Sequence, residues 1–198
     1  MGLIDYLNKN PKNQLIFDFD NTLVSLEIDW KKWLDDTEVE FSYLDPDILT
    51  AYKQGYINLN NLQNMYIKKY GRKVRDRIIA HCGQFEGKHL RGYKVNEELI
   101  SDIKTLGERK YIWTSNTRKT VVPILNELNI LANFEKIITR DDVTFVKPGI
   151  DGYEFIHDPK YPKEDYLLVG DSGSDAKAAD TAGIEFYKIT HFGDFTNL

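Results

Sequence analysis

Hydrophobic residues along the chain follow two rhythms, and the change from one to the other divides it. A short apolar run, Gln14-Leu15-Ile16-Phe17-Asp18-Phe19, follows the turn residues Asn10-Pro11-Lys12-Asn13 and predicts a buried strand. From about residue 25 to 91 the spacing is helical, with no good strand. Helices are predicted near Asp29–Asp36, Pro46–Lys53, Leu59–Lys69 and Lys73–His81. Asp45 before Pro46 reads as an N-cap with proline in the first turn; Asn58 can cap the next helix, and Gly71 suits a helix C-terminus. Beyond residue 91 helices and short apolar strands alternate. The predicted helices are Asn96–Gly107, Lys119–Leu128, Ile150–His157 and Ser174–Ala182, and the strands Tyr111–Thr114, Lys136–Thr139, Tyr166–Gly170 and Ile184–Ile189.

This alternation predicts a parallel sheet covered on both faces, hence an open, doubly wound α/β domain. The first strand belongs to that sheet, and the helical block interrupts the pattern just after it. The expected organisation is an α/β core of residues 1–24 and 92–198, with an all-helical cap domain of residues 25–91 inserted. Leaving from a strand's carboxyl end, the insertion would hang over the edge where ligands bind in such sheets.

The chain's 198 residues suit one medium domain or a core with a small insertion. A net charge of -5 argues against a nucleic-acid binder, which usually carries a basic excess. The single cysteine, Cys82, excludes an intramolecular disulfide and a thiolate-built zinc site; it is expected as a small, half-buried hydrophobe. No targeting pattern opens the sequence and no apolar run approaches a membrane span, so a cytoplasmic protein, monomer or weak dimer, is expected.

Polar residues at the predicted carboxyl ends of the strands change the picture most. Asp18 and Asp20 end the first strand, Ser115 and Asn116 the second, and Lys147-Pro148 follows the third after a loop. Asp171, in Gly170-Asp171-Ser172-Gly173-Ser174-Asp175, ends the fourth. Each is costly to bury unless charges compensate. Carboxylates, a lysine and a hydroxyl at one sheet edge suit a divalent cation and a phosphate. A hard cation offsets repulsion between a phosphate dianion and an attacking carboxylate, and an aspartate nucleophile divides hydrolysis into two easier steps.

These four stations resemble, in order, the four motifs of the haloacid dehalogenase superfamily. Asp18-Phe19-Asp20-Asn21-Thr22-Leu23 is similar to the first, Thr114-Ser115-Asn116 to the second, Lys147-Pro148 to the third, and Gly170 to Asp175 to the acidic fourth. The helical insertion resembles the C1 cap of the phosphoglycolate-phosphatase-like subgroup, on a Rossmann-like core. The resemblance implies a Mg2+-dependent phosphomonoester hydrolase that acts on a small phosphorylated metabolite through an aspartyl-phosphate intermediate. It implies Asp18 as nucleophile and metal ligand, and Asp20 as general acid/base with its backbone carbonyl on the metal. Asp171 would ligate the metal directly, while Asp175 would hold a metal-bound water or Lys147. Ser115 and Lys147 would bind the phosphoryl group, helped by the backbone of Asn21 and Asn116. Asn21 stands where many relatives have glycine, and asparagine also tolerates unusual backbone angles. The family's dehalogenases lack an acid two residues after the nucleophile, so Asp20 favours phosphoryl transfer over halide displacement. Two alternatives are a phosphosugar mutase of the same architecture and a non-catalytic phosphate-binding regulatory module.

Within the insertion, acids cluster early, from Glu27 to Asp47, and bases late, from Lys68 to Arg91. They are expected as solvated faces that attract each other rather than as a site for an anionic substrate tail. Trp30, Trp33, Phe41, Tyr43, Tyr52, Tyr56, Tyr66 and Tyr70 are expected as a packed core rather than a nucleobase platform, and His81 and His89 as structural or exposed residues.

Overall fold

The computed structural model describes residues 2–29, 32–33, 35–37 and 44–189. In chain order its elements begin with α1 (Leu3–Lys9), β1 (Gln14–Phe17), β2 (Val24–Leu26), α2 (Pro46–Lys53), α3 (Leu59–Tyr70), α4 (Arg72–His89) and β3 (Tyr93–Val95). There follow α5 (Glu97–Thr105), β4 (Arg109–Trp113), α6 (Arg118–Glu127), β5 (Lys136–Ile138), α7 (Asp151–Ile156), β6 (Tyr166–Gly170), α8 (Gly173–Ala182) and β7 (Glu185–Lys188).

β1 is apolar on both faces because the sheet is covered on both. Leu15 and Phe17 pack into one cluster with Leu3, Ile103, Val121 and Leu125, while Ile16 joins Trp113, Tyr153, Leu168 and Ala178 in the other. All three strand residues are fully buried, which contributes roughly 1.5–3 kcal/mol per side chain. The parallel sheet has the order β5-β4-β1-β6-β7. After β5 the chain crosses over β1 to start β6. The order therefore reverses beside β1, and its carboxyl end opens into the ligand-binding crevice of a doubly wound fold.

Helices α2 to α4 lie over that carboxyl edge. Asp45 caps α2 by accepting from Asp47 N and Ile48 N, Asn58 caps α3 by accepting from Asn61 N, and Gly71 separates α3 from α4 at φ 76°. Three asparagines of this layer reach the strand ends. Asn58 Nδ2 donates to Ser174 Oγ (3.0 Å), Asn60 Nδ2 to Ser115 Oγ (3.1 Å) and Asn64 Nδ2 to the Val146 carbonyl (2.7 Å). Tyr66 is buried and donates to the Asp45 carbonyl, which makes it core. Lys69 pairs with Asp45, a late base meeting an early acid. Tyr56 and Tyr70 differ from the expected packed core and are exposed. Trp30, Phe41 and Tyr43, and the Trp30, Lys31 and Leu34 part of the helix predicted at Asp29–Asp36, lie outside the described residues.

Several boundaries differ from expectation for local reasons. β1 stops at Phe17 rather than Phe19 because the Phe19 carbonyl accepts from Thr22 N, Leu23 N and Val24 N, which curls the chain into a loop. α4 continues past His81 to His89. Gly83 and Gly87 lie on its side toward α6, where a Cβ would stand 3.8 Å from Thr117 and 3.7 Å from Lys119, respectively. α1 and the antiparallel pair β2–β3 were not expected. The pair joins Val24 to Val95 and Leu26 to Tyr93, tying together the two chain segments that flank the helical layer. Among the described residues no helix is long and apolar enough to cross a membrane.

Candidate active site

Five carboxylates and two cations converge on one cavity of about 180 Å³ at the carboxyl edge of the sheet. Asp18 leaves the end of β1 with its N–H donated to the Val169 carbonyl (2.9 Å) and is 7% exposed. Lys147, 3% exposed, donates its ammonium to Asp18 Oδ1 (2.7 Å) and to Asp175 Oδ1. Burial alone would push that ammonium down. The two carboxylates outweigh it, so Lys147 lies above the usual lysine range.

Asp175 is fully buried, and both its oxygens are engaged. Oδ1 takes Lys147, and Oδ2 accepts from Ser172 N (3.0 Å) and the Ser172 hydroxyl, closing a reciprocal cap on α8. The side chain thus caps α8 and holds Lys147 at once. Gly170 permits this approach, since a Cβ there would meet Asp175 Cγ at 2.7 Å.

The remaining acids sit beside this triad. Carboxylate oxygens of Asp18, Asp171 and Asp175 come within 4.8 Å of one another. Burial pushes Asp18 up to about 8, with Asp175 and Asp171 adding to the rise against the pull of Lys147. Burial likewise raises Asp171, with Asp175 adding and Lys147 opposing. Asp20 is pushed to about 7, chiefly by burial, although its Oδ1 accepts from Leu26 N at 2.9 Å. A cluster of buried acids held this far above the ordinary carboxylate range lacks positive charge, and the all-oxygen donor set suits a hard divalent cation.

The residues expected to bind phosphate line the same cavity. Asn21 adopts φ 60°, the left-handed region anticipated from its position, and donates its N–H to the Val24 carbonyl (2.6 Å). Asn116 donates its N–H to Thr114 Oγ (3.2 Å). Both backbone donors expected for phosphate are therefore committed within their own loops. Ser115 Oγ lines the cavity with Asn60 donating to it.

The site also contains residues the sequence reading passed over. Arg140, one residue beyond the predicted strand Lys136–Thr139, lines the cavity; the strand-end reasoning applied to Ser115 and Asp171 would have found it. Glu86 of α4 lines it too, its carboxylate accepting from Thr117 N (3.2 Å) and from the hydroxyls of Thr117 and Thr120 at the start of α6. Trp33 and Cys82 also line the cavity, while His81 packs against Trp33 at 6.0 Å and His89 against Phe85 at 4.5 Å. Cys82 is buried, deeper than the half-buried position expected.

This five-stranded parallel sheet, with the Asp18–Lys147–Asp175 triad and the further acids Asp20 and Asp171 at its carboxyl edge, has counterparts among known proteins. Residues 15–189 match the haloacid dehalogenase-like hydrolase family, and the chain belongs to that family. No curated protein sequence matches it significantly. Among solved structures it resembles a haloacid dehalogenase-like hydrolase from Bacteroides fragilis (20% identity, TM-score 0.66, covering 90% of this chain and 88% of that one). It also resembles CbbY from Rhodobacter sphaeroides in complex with phosphate (17%, 0.60, 91% and 87%). A third is the HAD-hydrolase YfnB from Bacillus subtilis bound to magnesium, with reported interdomain movement (18%, 0.51, 88% and 85%). At these identities the likeness concerns the fold.

Proposed function

We propose that the protein is a Mg2+-dependent phosphomonoester hydrolase acting on a small phosphorylated metabolite through an aspartyl-phosphate on Asp18. The observation that carries this reading is the Lys147 ammonium held between Asp18 and Asp175 with Asp20 two residues away. Lys147 orients Asp18 and presents positive charge where phosphoryl oxygens would lie, with the Ser115 hydroxyl completing that cradle. Asp18 and Asp171, with the backbone carbonyl of Asp20, would hold the cation. When bound, Mg2+ supplies the charge that lets a phosphate dianion and a carboxylate approach.

In the first step an Asp18 oxygen attacks phosphorus, the bond to the leaving oxygen breaks, and Asp20 gives that oxygen its proton. In the second, water attacks the acyl phosphate, Asp20 takes the water's proton, and phosphate leaves. A carboxyl group at about 7 can do both near neutrality. Asp175 fixes Lys147, while Asn21 and Asn116 shape the loops. Residues 25–91 act as a cap: the links from Asn58, Asn60 and Asn64 to the strand ends support a closed form that excludes water. Phosphate release from a panel of small monoesters, with and without chelator, tests the reading. Metal-dependent release is expected, and a sugar phosphate that isomerises instead would favour the mutase.

A further inference from the structure

We propose that Arg140 receives a second anionic group, a carboxylate or a second phosphoryl group, carried on the substrate's leaving alcohol. This rests on the phosphoryl-transfer reading and names the class of substrate it acts on. Arg140 is 6% exposed and lines the same cavity as Asp18 and Lys147. A guanidinium has five N–H donors and always carries its charge. Here Nε donates to the Ser115 carbonyl (2.7 Å) and Nη1 to Gln63 Oε1, both neutral acceptors. Among the described residues no carboxylate pairs with it.

Of the acids that line the cavity, Glu86 directs one carboxylate oxygen to Thr117 and Thr120, and Asp18 and Asp175 hold Lys147. A buried cation left with neutral partners is costly, and a charged ligand removes that cost. Gln63 Oε1, offered from α3, stands where an oxygen of that ligand would sit. Its own amide NH2 makes only a long contact to Cys82 Sγ (3.7 Å), so little holds it against displacement. The planar fork matches both carboxylate and phosphoryl oxygens, and a cavity of about 180 Å³ limits the arm between the two anions to a few atoms.

Arg140 also braces the Ser115–Asn116 loop, donating from its backbone N–H to the Asn116 carbonyl (3.0 Å), so the test must separate recognition from bracing. Calorimetry with Mg2+ present would compare three non-hydrolysable probes: 3-phosphonopropionate, propane-1,3-diphosphonate and propylphosphonate. The wild type is expected to bind at least one doubly anionic probe about tenfold or more tighter than propylphosphonate. The tighter of the two identifies the second group. Arg140→Gln should bring that ratio close to one, over and above any loss common to all three probes from the broken Ser115 contact, and Arg140→Lys, which keeps the charge without the fork, should retain part of it. Equal binding of all three probes by the wild type, no binding of any, or an equal loss for all three in both variants would overturn the proposal. Release of phosphate from p-nitrophenyl phosphate by the same wild-type preparation reports separately on hydrolysis.

Discussion

Magnesium binding should tighten steeply as pH rises from about 6 to 8, because the fold holds a proton on Asp18 that the cation must displace. Burial raises Asp18 from 3.8 to about 8 and Asp20 to about 7. With Asp18 at about 8, roughly 1% is ionised at pH 6 and half at pH 8, so apparent affinity should gain about 50-fold, or about 2.3 kcal/mol. Stability follows with its own sign. Folded-state values above the unfolded ones mean that these groups contribute most below about pH 4, and that contribution is lost as pH rises through about 7 and 8. Each retained proton makes the slope about -1.4 kcal/mol per pH unit. The metal-free protein should therefore lose melting temperature across this range, and added Mg2+ should restore more of it at pH 8 than at pH 6. Calorimetric titration with Mg2+ and parallel thermal melts read both effects. Affinity unchanged between pH 6 and 8, or tighter at pH 6, would refute the reasoning.

Three other perturbations have defined outcomes. Gly170→Ala places a Cβ 2.7 Å from Asp175 Cγ, so it should cost about 1–3 kcal/mol in denaturant unfolding and lower kcat by displacing the support of Lys147. Glu86→Gln removes a negative charge that raises Asp20, so the alkaline limb of the kcat–pH profile should move to lower pH; an upward shift would contradict the assignment. Asp45→Ala removes the cap of α2 and the partner of Lys69, and should lower stability by about 1–2 kcal/mol with kcat per folded molecule unchanged.

Much of this molecule was legible in its sequence because both faces of the sheet are covered. That burial turns Leu15-Ile16-Phe17 and Tyr166-Leu167-Leu168-Val169 into continuous apolar runs that little else produces. Asp45-Pro46 and Asn58 marked helix starts for a local reason, the side-chain oxygen that accepts from the first turn. What stayed hidden depends on partners far along the chain. β2 and β3 have three residues each and exist only because they pair with each other across the insertion. Gly83 and Gly87 look like helix breakers, yet α4 runs through both. Asp18, Lys147, Asp171 and Asp175 could be placed at one edge by strand-end reasoning. That both backbone donors of Asn21 and Asn116 are already spoken for could not, since it depends on how each loop closes. Arg140 follows its strand as Asp171 does, so its place at that edge was open to the same reasoning, but its burial in the cavity was not.

The central claim is that Asp18 attacks phosphorus, and Asp18→Asn tests it most directly. Initial rates of phosphate release with Mg2+ should be compared between wild type and variant on any monoester the wild type hydrolyses, with melts confirming the fold. Lys147 keeps Asp175 as a partner in the variant, so the fold should persist. The account predicts a folded protein whose turnover falls by about 10³-fold or more. A folded variant that keeps a substantial fraction of wild-type turnover would contradict it.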